Sequence, residues 1–201
     1  VDTDITKRAT LRGMAGVIGV AGIGSLGLAK ATASRAQPLG NIPEERQLSA
    51  ELVLQIHVAL GETEDMGKTA DGHRINYPII GGHFSGRGLK GKVIPGGADM
   101  SIERADGVTM INALYRLNTD DGETIIIDNA GIWRPNANGL KKLKAGDKLL
   151  AEDYYCLTSP KFSTSVGKHN WLSQNIFVGT IDDVENENAV LIGCYMMNQT
   201  A

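Results

Sequence analysis

A strict two-residue alternation over residues 51–60 constrains this chain more than any other feature. Leu52, Leu54, Ile56, Val58 and Leu60 are all apolar, whereas Glu51, Val53, Gln55, His57 and Ala59 are mixed. Successive side chains of a strand point to opposite faces, so this spacing predicts a strand with one dry face. Short β-rich runs recur at residues 75–80, 88–94, 100–104, 108–117, 123–129, 149–157, 175–181 and 189–197. Between them lie Gly81-Gly82, Gly96-Gly97, Asp106-Gly107 and Asp121-Gly122, pairs that tolerate positive φ and close tight turns.

About nine strands joined mostly as hairpins predict an all-β domain. Sequential pairing favours a closed antiparallel up-and-down β-barrel over a sandwich, because closure removes exposed edges. One helical turn is expected near residues 140–144. Two longer connections, residues 134–147 and 158–174, are candidate functional loops. The 25 glycines are scattered without a repeat, which argues against a solenoid or propeller.

Before this body the chain has a different character. Lys7-Arg8 and Arg12 precede a charge-free stretch rich in small and aliphatic residues, Gly13 to Ala29. Small residues then cluster around Ala31, Ala33 and Ala36. This basic, apolar, small-residue order predicts an export signal over residues 1–36, similar to a twin-arginine signal with Lys7 in place of the first arginine. The stretch is shorter than the roughly 20 apolar residues of a membrane span. The expected organisation is therefore a signal (1–36), a leader (37–47) and a barrel domain (48–201), exported to a bacterial periplasm. No stable membrane anchor is expected after cleavage.

A net charge of −3 without a basic stripe argues against nucleic acid as a partner. The four histidines show no HxH or HExxH spacing, and no Gly-rich phosphate or dinucleotide fingerprint is present, so neither metal nor cofactor is expected. Cys156 and Cys194 read as two buried thiols or as a single disulfide; spacing does not decide between them.

Gly72-His73-Arg74, Gly81-Gly82-His83-Phe84-Ser85-Gly86, Gly88-Leu89-Lys90-Gly91-Lys92-Val93 and Pro95-Gly96-Gly97-Ala98-Asp99 follow one another in order. With Asp120-Asp121-Gly122, Asn129-Ala130-Gly131-Ile132, Trp171-Leu172 and Phe177-Val178-Gly179, this series resembles domain-of-unknown-function family 3237, also called uncharacterised protein family 0311. The likeness covers about residues 50–198. It implies a closed barrel of the calycin or allene-oxide-cyclase kind, often assembled as a homo-oligomer. Some fungal relatives add a hydroxyl across an alkene without a cofactor. The chain departs from the family pattern at Met100, where an aromatic is common, and at His83, a variable position.

Asp99 is the first candidate for chemistry. The preceding Gly96-Gly97-Ala98 can bend and bring a carboxyl to a barrel mouth, where desolvation raises its pKa and lets it shuttle a proton. The alternative is a turn residue bonded to its own amides. Arg74 and His83 flank residues 75–80 and could steady charge on a substrate oxygen; an ion pair with Asp99 and an exposed turn are the plainer readings. His57, Tyr115, Asn129, Trp133 and Trp171 are candidate ligand-binding residues, each with core packing or solvent as its alternative. Three functions stay open at this point. One is a cofactor-independent acid–base enzyme (cyclisation, isomerisation, hydration or elimination) acting on an apolar oxygenated small molecule. The others are a lipocalin-like binding protein and a structural or assembly subunit.

Overall fold

The computed structural model describes residues 47–199; the expected signal and nearly all of the leader fall outside them. Nine strands follow in order: β1 (Leu48–Leu60), β2 (Glu64–Thr69), β3 (Gly72–Gly86), β4 (Leu89–Glu103), β5 (Thr109–Thr119), β6 (Thr124–Pro135), β7 (Tyr154–Ser163), β8 (Phe177–Asp183) and β9 (Ala189–Gln199). One helix, α1 (Ala137–Ala145), joins β6 to β7. The sheet runs β1-β9-β8-β7-β6-β5-β4-β3, and β3 pairs back onto β1. The result is the closed antiparallel barrel of eight strands that the hairpin pattern predicts, with β2 added outside against the first half of β3.

Alternation sets what faces inward. On β1 the side chains of Leu54, Ile56, Val58 and Leu60 are buried, while Leu52 lies beyond a register shift and is exposed. On β5 every second residue from Thr109 to Thr119 is buried. One half of the interior is solid. Phe84, Leu117, Ile125, Phe162, Leu172, Phe177 and Met196 fill it, with Phe162 and Phe177 edge to face at 5.0 Å. A short 3-10 turn, Asn170–Gln174, brings Leu172 into this plug. The other half is hollow.

Four glycine-pair turns were expected, but only two close hairpins. Asp106-Gly107 and Asp121-Gly122 join β4 to β5 and β5 to β6. Gly81-Gly82 and Gly96-Gly97 instead lie inside β3 and β4, where register shifts run between Ile79 and His83 and between Ile94 and Ala98. Positive φ at Gly81, Gly82 and Gly96 serves a bulge as readily as a turn. Residues 88–94 and 100–104, expected as two strands, are therefore one long bent strand. β2 was not expected at all, because Glu64–Thr69 shows no apolar alternation.

The connection after β6 is anchored by Asp153. Asn136 caps α1, its side chain accepting from the amides of Asn138 and Gly139 at 2.9 and 3.0 Å. The buried Asp153 carboxylate accepts from Lys142 Nζ (2.6 Å), the Leu150 amide (2.7 Å) and Asn138 Nδ2 (2.6 Å). Those bonds, Lys142 first, hold its pKa below the ordinary aspartate value. A depressed carboxyl stabilises the fold above its unfolded pKa and loses that contribution as pH falls through its folded pKa. Asp153→Ala leaves three donors without their acceptor and lowers Tm at pH 7. In melting curves the difference from wild type should shrink as pH drops below the ordinary value of 3.8. A pH-independent difference would mean packing, not charge, holds this corner.

Candidate functional site

The hollow half is a cavity open to solvent at one mouth; the atom-free space within it and before that mouth together comes to about 670 Å³. Its wall is set by a row of register partners. Tyr77 faces Asp99 across β3–β4, Asp99 faces Ala113 across β4–β5, and Ala113 faces Asn129 across β5–β6. Partners directly opposite share one face of a sheet, so all four point to the lumen. Ala113 is the small member, and its missing bulk leaves room between the Asp99 carboxyl and the Asn129 amide. Tyr115 enters from β5, one inward position along from Ala113; Gly97 lets it do so, since a Cβ there would lie 2.5 Å from Tyr115 Cβ. Trp133, Cys156, Ile181 and Asp183 complete the polar and apolar wall toward the mouth.

The Asp99 carboxyl is held without a cation. Its Oδ1 accepts from the Asn112 amide at 2.9 Å, where the β4–β5 ladder opens, and Ser101 Oγ lies 3.1 Å from both carboxyl oxygens. Burial outweighs these two donors and pushes its pKa up to about 6. Asp183 differs in place: it is exposed at the end of β8, and partial burial of its carboxyl pushes the pKa up to about 6, with Lys148 opposing and Asp182 adding to the shift. Burial also raises the Tyr77 and Tyr115 phenols, keeping both protonated as donors. The Cys156 thiol is pushed up to about 12 by burial, then by Asp182 and Asp99, so it is no nucleophile at neutral pH. Cys194 is a second free, buried thiol.

Four neutral polar groups on this wall find no hydrogen-bond partner among the described residues: the Tyr77 and Tyr115 hydroxyls, the Asn129 amide and the Trp133 indole N–H. Each belongs to a residue no more than 4% exposed. A buried polar group left unpaired costs about 1–3 kcal/mol, so a site that collects four of them is built for something with oxygen or nitrogen to offer.

Of the residues singled out from sequence, Asp99, Tyr115, Asn129 and Trp133 meet in this lumen. Arg74, His83, His57 and Trp171 do not. Arg74 pairs with Asp71 at 2.6 Å on the outer surface and leaves Asp99 without a cation. His57 and His83 stack on each other at 4.8 Å outside the wall, His57 bonding Glu187 at 2.8 Å. They sit on the outward parity of β1 and β3, because Ile56, Val58 and Phe84 take the inward positions. Trp171 belongs to the plug at the far end, 6.2 Å from Phe177 and under the Arg87 guanidinium. Sequence reading missed Tyr77, Cys156 and Asp183. For Asp183 a signal existed: it is two residues beyond Ile181, so the same parity turns it toward the cavity, where it stays exposed at the rim.

Among the described residues no group of three or more His, Cys, Asp or Glu is placed to hold a metal ion. Comparison with known proteins places the chain in company. The model of a protein family described as "Protein of unknown function (DUF3237)" matches residues 48–197. A UPF0311 protein of Rhodopseudomonas palustris (strain TIE-1) is 35% identical over 133 residues, covering 66% of this chain and 87% of that protein. A solved structure described as a beta-barrel like protein from Acinetobacter baumannii AYE is 32% identical with a TM-score of 0.67, over 79% of this chain and all of that one (100%). An enzyme from Penicillium herquei shares the fold at 21% identity and a TM-score of 0.56, over 80% of this chain and 100% of its own.

Proposed function

This chain belongs to the DUF3237 family, whose description assigns no reaction, and on that footing we propose that its lumen is the active site of a cofactor-independent acid–base enzyme. One observation carries the reading. A carboxyl poised near pH 6 faces, across the gap left by Ala113, a wall of neutral hydrogen-bonding groups with nothing to bond. Asp99 is the group that moves the proton. As a carboxylate it takes a proton from an acidic C–H or O–H of the substrate and returns it to a different atom. Atoms and electrons balance without an oxidant or reductant. Negative charge that develops on the substrate oxygen is met by the Tyr77, Tyr115 and Trp133 donors and by Asn129 Nδ2, the task that arginine and histidine were expected to fill. Such preorganised donors in a water-poor pocket stabilise a transition state more than the same donors would in water. The shared fold of the Penicillium herquei enzyme shows that this scaffold carries catalysis elsewhere.

The test needs no natural substrate. Small cyclic ketones such as 1-tetralone and 2-tetralone are incubated with the protein in D2O, and deuterium uptake at the carbon beside the carbonyl is followed by mass spectrometry. Protein-dependent uptake that Tyr115→Phe slows about 10–100-fold without lowering Tm is the expected result. Removing an unpaired buried hydroxyl costs the fold nothing, so a Tyr115 that only packs the core would leave both Tm and the exchange rate unchanged. The rate should rise through pH 6 as Asp99 ionises and level off above it. A ketone that binds yet exchanges no faster than in buffer would sink the catalytic reading and leave a barrel that only binds its ligand.

A further inference from the structure

Asp183, which the proton-transfer scheme does not use, sits on the same cavity wall at the last residue of β8. The mouth it borders is acidic and aromatic. Asp182 stands next to it, and the Tyr154 ring lies close enough that both carboxylates act on its phenol. Tyr154 packs 6.0 Å from Trp133, whose indole N–H is one of the unpartnered lumen groups. Not one of the residues lining the cavity is Lys, Arg or His. The nearest cation acting on Asp183 is Lys148, a mostly exposed side chain 3.9 Å from Glu185. The β8–β9 turn that carries this rim is tied down: Asn188 Nδ2 donates to the Leu60 and Gly61 carbonyls at 2.9 Å each.

We propose that the molecule this lumen takes is an organic cation, an amine whose ammonium group sits at the mouth between Asp183 and the Trp133–Tyr154 ring pair. Its oxygen-bearing end then lies inside among Tyr77, Asn129 and Asp99. This assignment rests on reading the lumen as a ligand site and adds the charge of the ligand. The physical case is complementarity. The Asp99 carboxyl lies in the cavity and the exposed Asp183 carboxyl stands at its rim, with no cation among the lining residues, so an ammonium group at the mouth would complement both. Aromatic faces add cation–π attraction, which a neutral or anionic head does not gain. The two carboxyls thereby divide the work: Asp183 anchors and Asp99 transfers the proton. Asp183 is a specificity-determining residue, not a catalytic one.

Three probes of one shape separate the outcomes: 2-naphthylmethylammonium, 2-naphthylmethanol and 2-naphthoate, titrated into the full-length protein by calorimetry at pH 8. The ammonium is expected to bind at least ten-fold more tightly than the alcohol, with the carboxylate weakest. Asp183→Asn should erase the preference of ammonium over alcohol, and an unchanged circular-dichroism spectrum shows that the variant is folded. Equal or weaker binding of the ammonium in the wild type overturns the proposal, as does a preference that survives in Asp183→Asn. If the alcohol binds with no charge preference, the lumen remains a ligand site and only the cation assignment falls. If none of the three binds, the ligand-site reading falls with it.

Discussion

Asp99→Asn should melt higher than the wild type at pH 8 while losing at least about 100-fold in proton-transfer rate. Folding raises the Asp99 pKa from 3.8 to about 6, so between those values the native state holds a proton the unfolded chain has released. Wherever the native state binds more protons, stability falls as pH rises. The carboxyl therefore costs stability through that window, and the full penalty stands above it. A shift of about two pKa units corresponds to about 3 kcal/mol at most, and solvent in the lumen reduces it to about 1–3 kcal/mol. Asparagine keeps the shape, accepts the Asn112 amide with its carbonyl and donates to Ser101 with its amino group, but carries no charge. In a domain of this size each kcal/mol moves Tm by about 2–4 °C. The gain should vanish as pH approaches 4, where the wild-type carboxyl is itself neutral. A variant no more stable than the wild type at pH 8 would mean that Asp99 is not desolvated and is no poised base. This trade of stability for a charged lumen is what a working active site costs a fold.

Gly82→Ala should cost more than about 3 kcal/mol and leave little folded protein, whereas Gly81→Ala should cost about 1 kcal/mol. Both glycines adopt positive φ, 148° at Gly81 and 130° at Gly82. Their surroundings differ. A Cβ on Gly82 would lie 2.0 Å from the His57 carbonyl oxygen and 3.2 Å from Val58 Cα, while a Cβ on Gly81 would meet nothing within 4 Å. Gly82 pairs with Val58 in the β1–β3 ladder that closes the barrel, so relief of the clash has to push the closing strands apart. Urea denaturation of the two variants side by side checks this. Equal losses would show that backbone strain alone is at work and that β1 and β3 do not approach so closely.

The resemblance named from short glycine-rich fragments proved sound because those fragments mark where the backbone bends or closes up. Gly82 is seated against β1, Gly91 against β5 and Gly97 against Tyr115. The sequence also identified four of the lumen residues. It assigned Arg74 and His83 to steady charge on a substrate oxygen because they flank the strand expected at residues 75–80. Chain proximity says nothing about parity, however, and both side chains project outward. Asp183 was missed for the opposite reason: it lies just past the end of an expected strand, where alternation was no longer being followed.

The amino-acid order by itself determined the local pattern: period-two strands, the Asp-Gly hairpins and a turn of helix near residues 140–144. These depend on contacts within a few residues, where side-chain size and backbone preference act directly. Which face became the inside, which glycine pairs bent a strand instead of ending it, and which half of the barrel stayed hollow were decided only when β3 closed onto β1. Closure gives each alternating strand a dry side and a wet one. It also brings Tyr77, Asp99 and Asn129 into one row from strands that are distant in the chain.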